Sequence, residues 1–497
     1  MNLLSSITNK TIISFLWLLS GGIGKLTIKL LFLAVLVRLI SPHDFGIIAA
    51  ATIVYGIANI LVNIGVGPAL IQKRHVSEED QSSAWVMSIV LGVLISLAIY
   101  SFRESITLLF GVEELRDVLF LVAITVLIKS FSVVHESMAA KELNFKRIAY
   151  ADILAFLCGY GIVSSVLAFN GFGYWSVVIG VASQEAIRTL IILRGSDVKI
   201  TGGFSPSSAR KLFNFGSGNT IGQIANYVAN QIDQVMVSKF SGAEMLGFYS
   251  RAYQLSVMPT NVLGSAVHRV LFSGFSLIQS SDSQLQQSYY KSLRMASISA
   301  LSIAPVFYFL SDDIVAVVLG KGWEAVVPIF KIMSLGLVIR LVNKINDSVV
   351  KAKGAVHRRA IIQIFYAISA GGLCFVAIDF GVDKVAVAFI ISMIINFFLM
   401  TVLVKRTIAI SYFEVIKSVS RGGVICLILI LALSASGQIM QAESFSHLET
   451  LAIDSAIAVS TILVSIWMIP KLCLGPELEF YRAALRKVLC SVKGTNR

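Results

Sequence analysis

The chain divides into about fourteen apolar stretches, each near the length that crosses a lipid bilayer, joined by loops of no more than about 20 residues. A hydrocarbon core about 30 Å thick requires about 20 mainly apolar residues per helix, and it tolerates no unpaired backbone polar group. The fold class expected is all-α: a polytopic membrane protein with about 14 transmembrane helices. With 56% hydrophobic and 14% charged residues, the composition is that of a bilayer protein, not of a soluble domain of this length. Loops this short leave no extramembrane domain with a core of its own, so any chemistry belongs in the membrane or at its surface.

The formal charge of +13 is explained by where the cations sit. They concentrate in alternate loops, among them Lys73 and Arg74, Lys141 with Lys146 and Arg147, Lys291 and Arg294, and Arg358 and Arg359. The positive-inside rule produces this pattern, and nucleic acid need not be invoked. It places the amino terminus in the cytoplasm, and an even number of spans places the Pro470–Arg497 tail there too. Thr11 to about Leu39 is too long for the apolar region of a secretory signal and reads as a retained first span. Cys158, Cys374 and Cys426 fall in spans and Cys473 and Cys490 in the tail, with no C-x-x-C or His/Cys ligand spacing. They read as packing residues or free thiols, and no catalytic residue, metal or cofactor is expected.

The sequence also repeats with a period of about 200 residues. Leu39-Ile40-Ser41-Pro42-His43-Asp44-Phe45-Gly46 echoes Phe240-Ser241-Gly242-Ala243-Glu244-Met245-Leu246-Gly247; Glu104 to Gly111 echoes Asp312 to Gly320; Lys146-Arg147 echoes Arg358-Arg359. Each echo falls at the same point of a six-span unit. The expected organisation is therefore a parallel pseudo-twofold repeat of two six-helix lobes, residues 1–195 and 212–405. They are joined by a linker at 196–211 and followed by two further helices at 406–470 and a basic cytoplasmic tail at 471–497. Ser205-Pro206-Ser207-Ser208 before Ala209-Arg210-Lys211 reads as the capped start of a basic amphipathic helix on the cytoplasmic surface.

Ionisable residues inside the spans carry the functional reading, because a charge near the bilayer midplane costs several kcal/mol and faces a protein interior or a water-filled path. Lys25 and Lys29, four apart, share a face of the first span, as do Arg340, Lys344 and Asp347 in the tenth; Lys129 and Glu136 share a face of the fourth. Lys25, Lys29, Lys129, Arg340 and Lys344 are the candidate walls of a cationic cavity, with structural ion pairing as the alternative. For Lys25 the partner would be Asp152 or Glu185, and for Arg340 it would be Asp347. Glu185 and Arg188, three apart, either neutralise one another or belong to a gate. Asp233 and Arg251, near facing ends of the seventh and eighth spans, are candidates for a latch or an ion-coupling site. Arg269, at the inner end of the eighth span, either meets an anionic headgroup or anchors the helix. The tryptophans, mostly near span ends, read as an interfacial belt.

Three stretches stand close together in the middle of the chain: Asn230-Gln231-Ile232-Asp233-Gln234-Val235-Met236-Val237, Leu246-Gly247-Phe248-Tyr249-Ser250-Arg251-Ala252-Tyr253 with Pro259, and Val270 to Gln279. Through them the chain resembles the polysaccharide-transport flippases, the colanic-acid-exporter-like lipopolysaccharide biosynthesis proteins of the superfamily that also holds multidrug extruders and lipid II flippases. Ser273 departs from the resemblance, since the family usually has Pro there. The resemblance implies alternating-access translocation of an undecaprenyl-diphosphate-linked oligosaccharide from the cytoplasmic to the periplasmic leaflet of the bacterial inner membrane. It also implies contact with membrane lipids and other polysaccharide assembly proteins, and no enzymatic activity. A cation-coupled multidrug antiporter is the alternative within the superfamily, and a membrane polysaccharide polymerase the alternative outside it. Lys and Arg have the wrong sign for cationic drugs, and the outer loops are short for a polymerase.

Overall fold

A hydrocarbon solvent leaves the backbone little choice, and every element is a helix in the computed structural model. It describes residues 27–468 apart from 64–65, 74, 143, 197, 199, 201, 279–280 and 443–444. Lys25, most of the first expected span and the 471–497 tail lie outside the described residues.

In chain order the helices are α1 (27–39), α2 (Pro42–Val62), α3 (Gly67–Gln72), α4 (Glu78–Ser101), α5 (Arg103–Phe110) and α6 (Leu115–Lys141). Then come α7 (Phe145–Ala155) and α8 (Ser164–Phe169), joined through a π-helical stretch at Phe156–Val163, followed by α9 (Tyr174–Arg194), α10 (Pro206–Ala229) and α11 (Ile232–Leu277). The rest are α12 (Asp282–Phe309), α13 (Ser311–Val318), α14 (Val326–Leu335), α15 (Leu337–Ala352), α16 (Val356–Ala377), α17 (Val382–Ile408), α18 (Tyr412–Ser420), α19 (Gly423–Ala442) and α20 (His447–Met468). Local chemistry sets the starts. Ser41 and Ser77 accept the backbone N–H of Asp44 and Asp80, and Asp80 accepts the Ser77 N–H at 3.0 Å in return, completing a capping box at α4.

Ten of the described helical segments are long and apolar enough to cross a membrane, or eleven if α14 and α15, bent by 44° at Gly336, form one broken span. Neither α10 nor α11 meets that test, although spans are expected in both. Their sequences are punctuated by Asn, Gln, Ser and Gly in α10 and by Asp233, Lys239, Glu244, Arg251 and Arg269 in α11. Two further expectations differ from the fold. The separate surface helix after Ser205 is instead the first part of α10, which runs unbroken to Ala229, and Ser205 supplies no side-chain cap. Trp323 is no interfacial ring: it is 2% exposed and sits in a core.

The described chain packs as two compact units, one of Lys29–Arg251 with Val356–Ser392, the other of Ala252–Ala355 with the chain from Met393 onward. In the first, α6 is the central helix, packed on α2, α3, α4 and α9, while α10 pairs with α16 through a 2.7 Å bond from Asn226 Nδ2 to Gln363 Oε1. In the second, α12 packs on α14, α15, α18 and α19, and its apolar core includes Ile298, Leu310, Ile425 and Leu429. There Tyr289 donates to Asn346 at 2.8 Å, and Asn346 donates to Thr401 at 3.1 Å.

The echoed segments meet in space. A Cβ on Gly46 would lie 1.8 Å from the Ala243 carbonyl oxygen, and one on Gly247 would lie 1.9 Å from that of Pro42. In the echo Pro42 corresponds to Ala243 and Gly46 to Gly247, so the two approaches are reciprocal, as in a contact across a twofold axis. The second echo also has a structural form: the eight-residue helices α5 and α13 are each followed within two residues by a glycine of positive φ, Gly111 at 68° and Gly320 at 87°.

Candidate functional site

Four elements of the first unit converge on a buried ion cluster. Lys129 and Glu136, two turns apart on α6, bond at 2.8 Å. Lys129 also lies 3.5 Å from Glu185 on α9. One turn along α9, Arg188 grips both oxygens of Glu136, at 2.6 and 2.9 Å, and reaches Asp152 on α7 through Nε at 2.8 Å. That is a bidentate fork with a further contact from the third nitrogen, a geometry that guanidinium supplies and ammonium does not. Arg188 also lies 3.9 Å from Glu185, and Tyr55 of α2 donates to Glu185 at 3.2 Å. Lys129, Glu185 and Arg188 are 7%, 8% and 9% exposed. Among the described residues the cluster brings three carboxylates, Glu136, Asp152 and Glu185, together with two cations, Lys129 and Arg188.

At one end of the cluster the chain after α9 is stitched down. His135 bonds Ser196 at 2.7 Å, Ser82 Oγ accepts from the Gly202 N–H at 3.2 Å, and Ser83 Oγ accepts from the Ser205 N–H at 2.8 Å. Lys141 donates to the carbonyls of Leu70 and Lys73, and Lys73 pairs with Asp80.

The expected latch between Asp233 and Arg251 is not what these residues form. Asp233, fully buried, accepts from the Tyr249 hydroxyl at 2.9 Å. Arg251, 9% exposed, stacks 4.7 Å from the Phe45 ring centroid, with Tyr160 nearby, and its buried Nε has no hydrogen-bond partner among the described residues. Lys29 is exposed on α1, and the Arg269 side chain is outside what the structure describes. In the second unit Arg340, one turn past the bend at Gly336, lies 4.7 Å from the Tyr253 ring centroid. Lys344, half-buried, donates to the Thr260 carbonyl at 2.8 Å. Asp347, expected beside Arg340, pairs with Lys351 at 2.6 Å.

Sequence spacing therefore finds Lys129 with Glu136 and Glu185 with Arg188, each on one helix. It does not find Arg188 with Glu136, which joins two helices, nor Tyr55, which nothing in the sequence marks.

A family model described as polysaccharide biosynthesis protein matches residues 35–328, more than half of the chain. The chain belongs to this family. Lipopolysaccharide biosynthesis protein WzxC of Escherichia coli (strain K12) is 24% identical over 83% of this chain and 85% of its own length. Succinoglycan biosynthesis transport protein ExoT of Rhizobium meliloti (strain 1021) is 23% identical over 64% of each. Among solved structures, lipid II flippase MurJ in an inward closed conformation superposes with a TM-score of 0.71 at 16% identity, covering 90% of this chain and 98% of that one. The polysaccharide biosynthesis family thus has in this member an all-helical, multi-pass membrane protein with a transporter fold.

Proposed function

We propose that this protein is a flippase that carries an undecaprenyl-diphosphate-linked oligosaccharide from the cytoplasmic to the periplasmic leaflet of the bacterial inner membrane, for surface polysaccharide assembly. The observation that carries the reading is a cation in each unit, withdrawn from the surface, for which the described residues offer no carboxylate: buried Arg251 in the first and half-buried Lys344 in the second. A charge held there without a counter-ion is costly, and an anionic substrate repays that cost when it arrives. A diphosphate suits both the planar donors of Arg and the compact ammonium of Lys. The polar punctuation of α10 and α11 supports a hydrated route for the glycan, while the prenyl chain stays in lipid.

In this reading the two six-helix repeats rock about a central cavity, with both termini in the cytoplasm. The reciprocal approach of Gly46 and Gly247 supports a twofold relation between them. Lys29, Lys129 and Arg340 line or brace the route, as does Lys25, which lies outside the described residues, and Arg269 receives the headgroup from the inner leaflet. The Glu185–Arg188 cluster with Asp233 supplies coupling, since carboxylates withdrawn from the surface are groups on which a proton or sodium ion can act. The protein performs no catalysis of its own, and its partners are the lipid-linked glycan, bilayer lipids and the neighbouring assembly proteins.

Reconstitution into liposomes with a fluorescent lipid-linked oligosaccharide, with and without proton or sodium gradients, tests the reading. Translocation is expected for the wild type, and Arg251→Gln is expected to slow it at least about tenfold at equal protein level, or about 1.4 kcal/mol of barrier. Wild-type liposomes that move no substrate, or an Arg251→Gln protein as fast as the wild type, would overturn it.

A further inference from the structure

The first unit contains an apolar cavity of about 540 Å³ that shares no residue with the ion cluster. That volume is within the range of about 300–1,000 Å³ typical of ligand pockets. Its walls come from α2, α4, α5, the junction of α10 with α11, and α16, represented by Ile57, Ile99, Leu109, Val235 and Phe375. Leu109 and Phe375 are 50% and 57% exposed, so the apolar lining continues to the surface of the unit. The α11 part of the wall runs from Ile232 to Phe240, which at 1.5 Å per residue is about 12 Å, most of one leaflet of the hydrocarbon core.

One charged side chain lines this cavity, that of Lys239. Its place along the membrane normal is fixed by two contacts. The neighbouring Ser238 donates to the Phe110 carbonyl at 2.7 Å, and the Lys239 carbonyl oxygen lies 3.2 Å from where a Cβ on Gly111 would be. Phe110 and Gly111 form the turn between α5 and α6, beyond the ends of the spans α4 and α6, which is headgroup depth. The Lys239 side chain is exposed there while the cavity extends away from it into the bilayer.

We infer that this cavity holds a hydrocarbon chain of a resident anionic phospholipid, with Lys239 against its phosphodiester. The cavity offers a dry slot for the chain and one cation for a headgroup bearing one net negative charge. A juxtamembrane Lys contributes an attraction equivalent to about fivefold in affinity for an anionic lipid. The occupant is a bound component of the bilayer, separate from the transported lipid, and it fills a slot between helices that would otherwise stand empty.

The test uses the full-length protein purified from vesicles of phosphatidylglycerol and phosphatidylethanolamine and examined by native mass spectrometry with lipid analysis. Wild type is expected to retain phosphatidylglycerol over phosphatidylethanolamine, and Lys239→Gln to lower that preference about fivefold. Ala98→Trp places an indole in the cavity from an exposed position of α4 and is expected to abolish retention. Val93→Trp, on the same helix but outside the lining, controls for folding and is expected to retain lipid like the wild type. Retention unchanged in Ala98→Trp, retention lost equally in Val93→Trp, no retained lipid in the wild type, or a prenyl-diphosphate lipid as the retained species would each overturn the proposal.

Discussion

Two lysines of membrane-embedded helices, one in each unit, live in opposite surroundings. Lys129 lies between Glu136 and Glu185, inside a cluster completed by Arg188 and Asp152. Lys344 has a backbone carbonyl for a partner, and among the described residues no carboxylate lies within ion-pair distance. A carboxylate-bound cation is a structural fastening, because its charge is already answered and its removal strands its partners. A carbonyl-bound cation keeps its charge on offer. The same residue type in the same solvent thus does two jobs, and charge counting alone does not separate them.

Breaking the fastening has the largest expected effect. Arg188→Leu removes both fork bonds to Glu136 and the bond to Asp152 and is expected to cost about 3–5 kcal/mol, read as a large drop in the melting temperature of the detergent-solubilised protein. A small drop would mean that the cluster holds little. Lys129→Met is milder, since Arg188 still holds Glu136, and about 1–3 kcal/mol is expected in the same melting assay. Lys344→Gln reverses the pattern: melting should be unchanged or slightly raised, while translocation in liposomes falls at least about tenfold, about 1.4 kcal/mol of barrier. If stability fell and transport did not, Lys344 would be a second fastening and the contrast would fail. Tyr55→Phe removes a single bond to Glu185 and should lower stability by about 1 kcal/mol or less; a larger loss would place Tyr55 among the members that hold the cluster together.

Much of the fold is legible in the sequence because hydrocarbon enforces it: α2, α4, α6, α9 and α17 follow from their apolar lengths. The α10 helix is legible only in part, since Ser205-Pro206 has the chemistry of a helix start, but nothing local shows that this start and the span expected after Lys211 are one continuous helix. Within the site, pairs on one helix are readable from their spacing, and Lys129 with Glu136 is the example. The Arg188 fork is unreadable, because it depends on how α6, α7 and α9 pack, a tertiary property with no local trace. Asp233 and Arg251 show the reverse error. Proximity in sequence and opposite charge suggest a pair, but Tyr249 and Phe45 compete for them and win.

The reciprocal seat of Gly46 and Gly247 bears on how the molecule is made. Each glycine is closed over by backbone about 200 residues away in the chain, so the contact at Gly46 cannot form until the stretch around Ala243 has emerged. At about 5–20 residues per second, translation holds that seat open for roughly 10–40 seconds. During this interval the early helices are already in the bilayer with an unfilled groove. A chaperone or insertase that covers the groove, or a translation pause shortly after residue 247, would act on this interval. A side chain added at Gly46 would then lower the yield of inserted protein before any mature property could be measured.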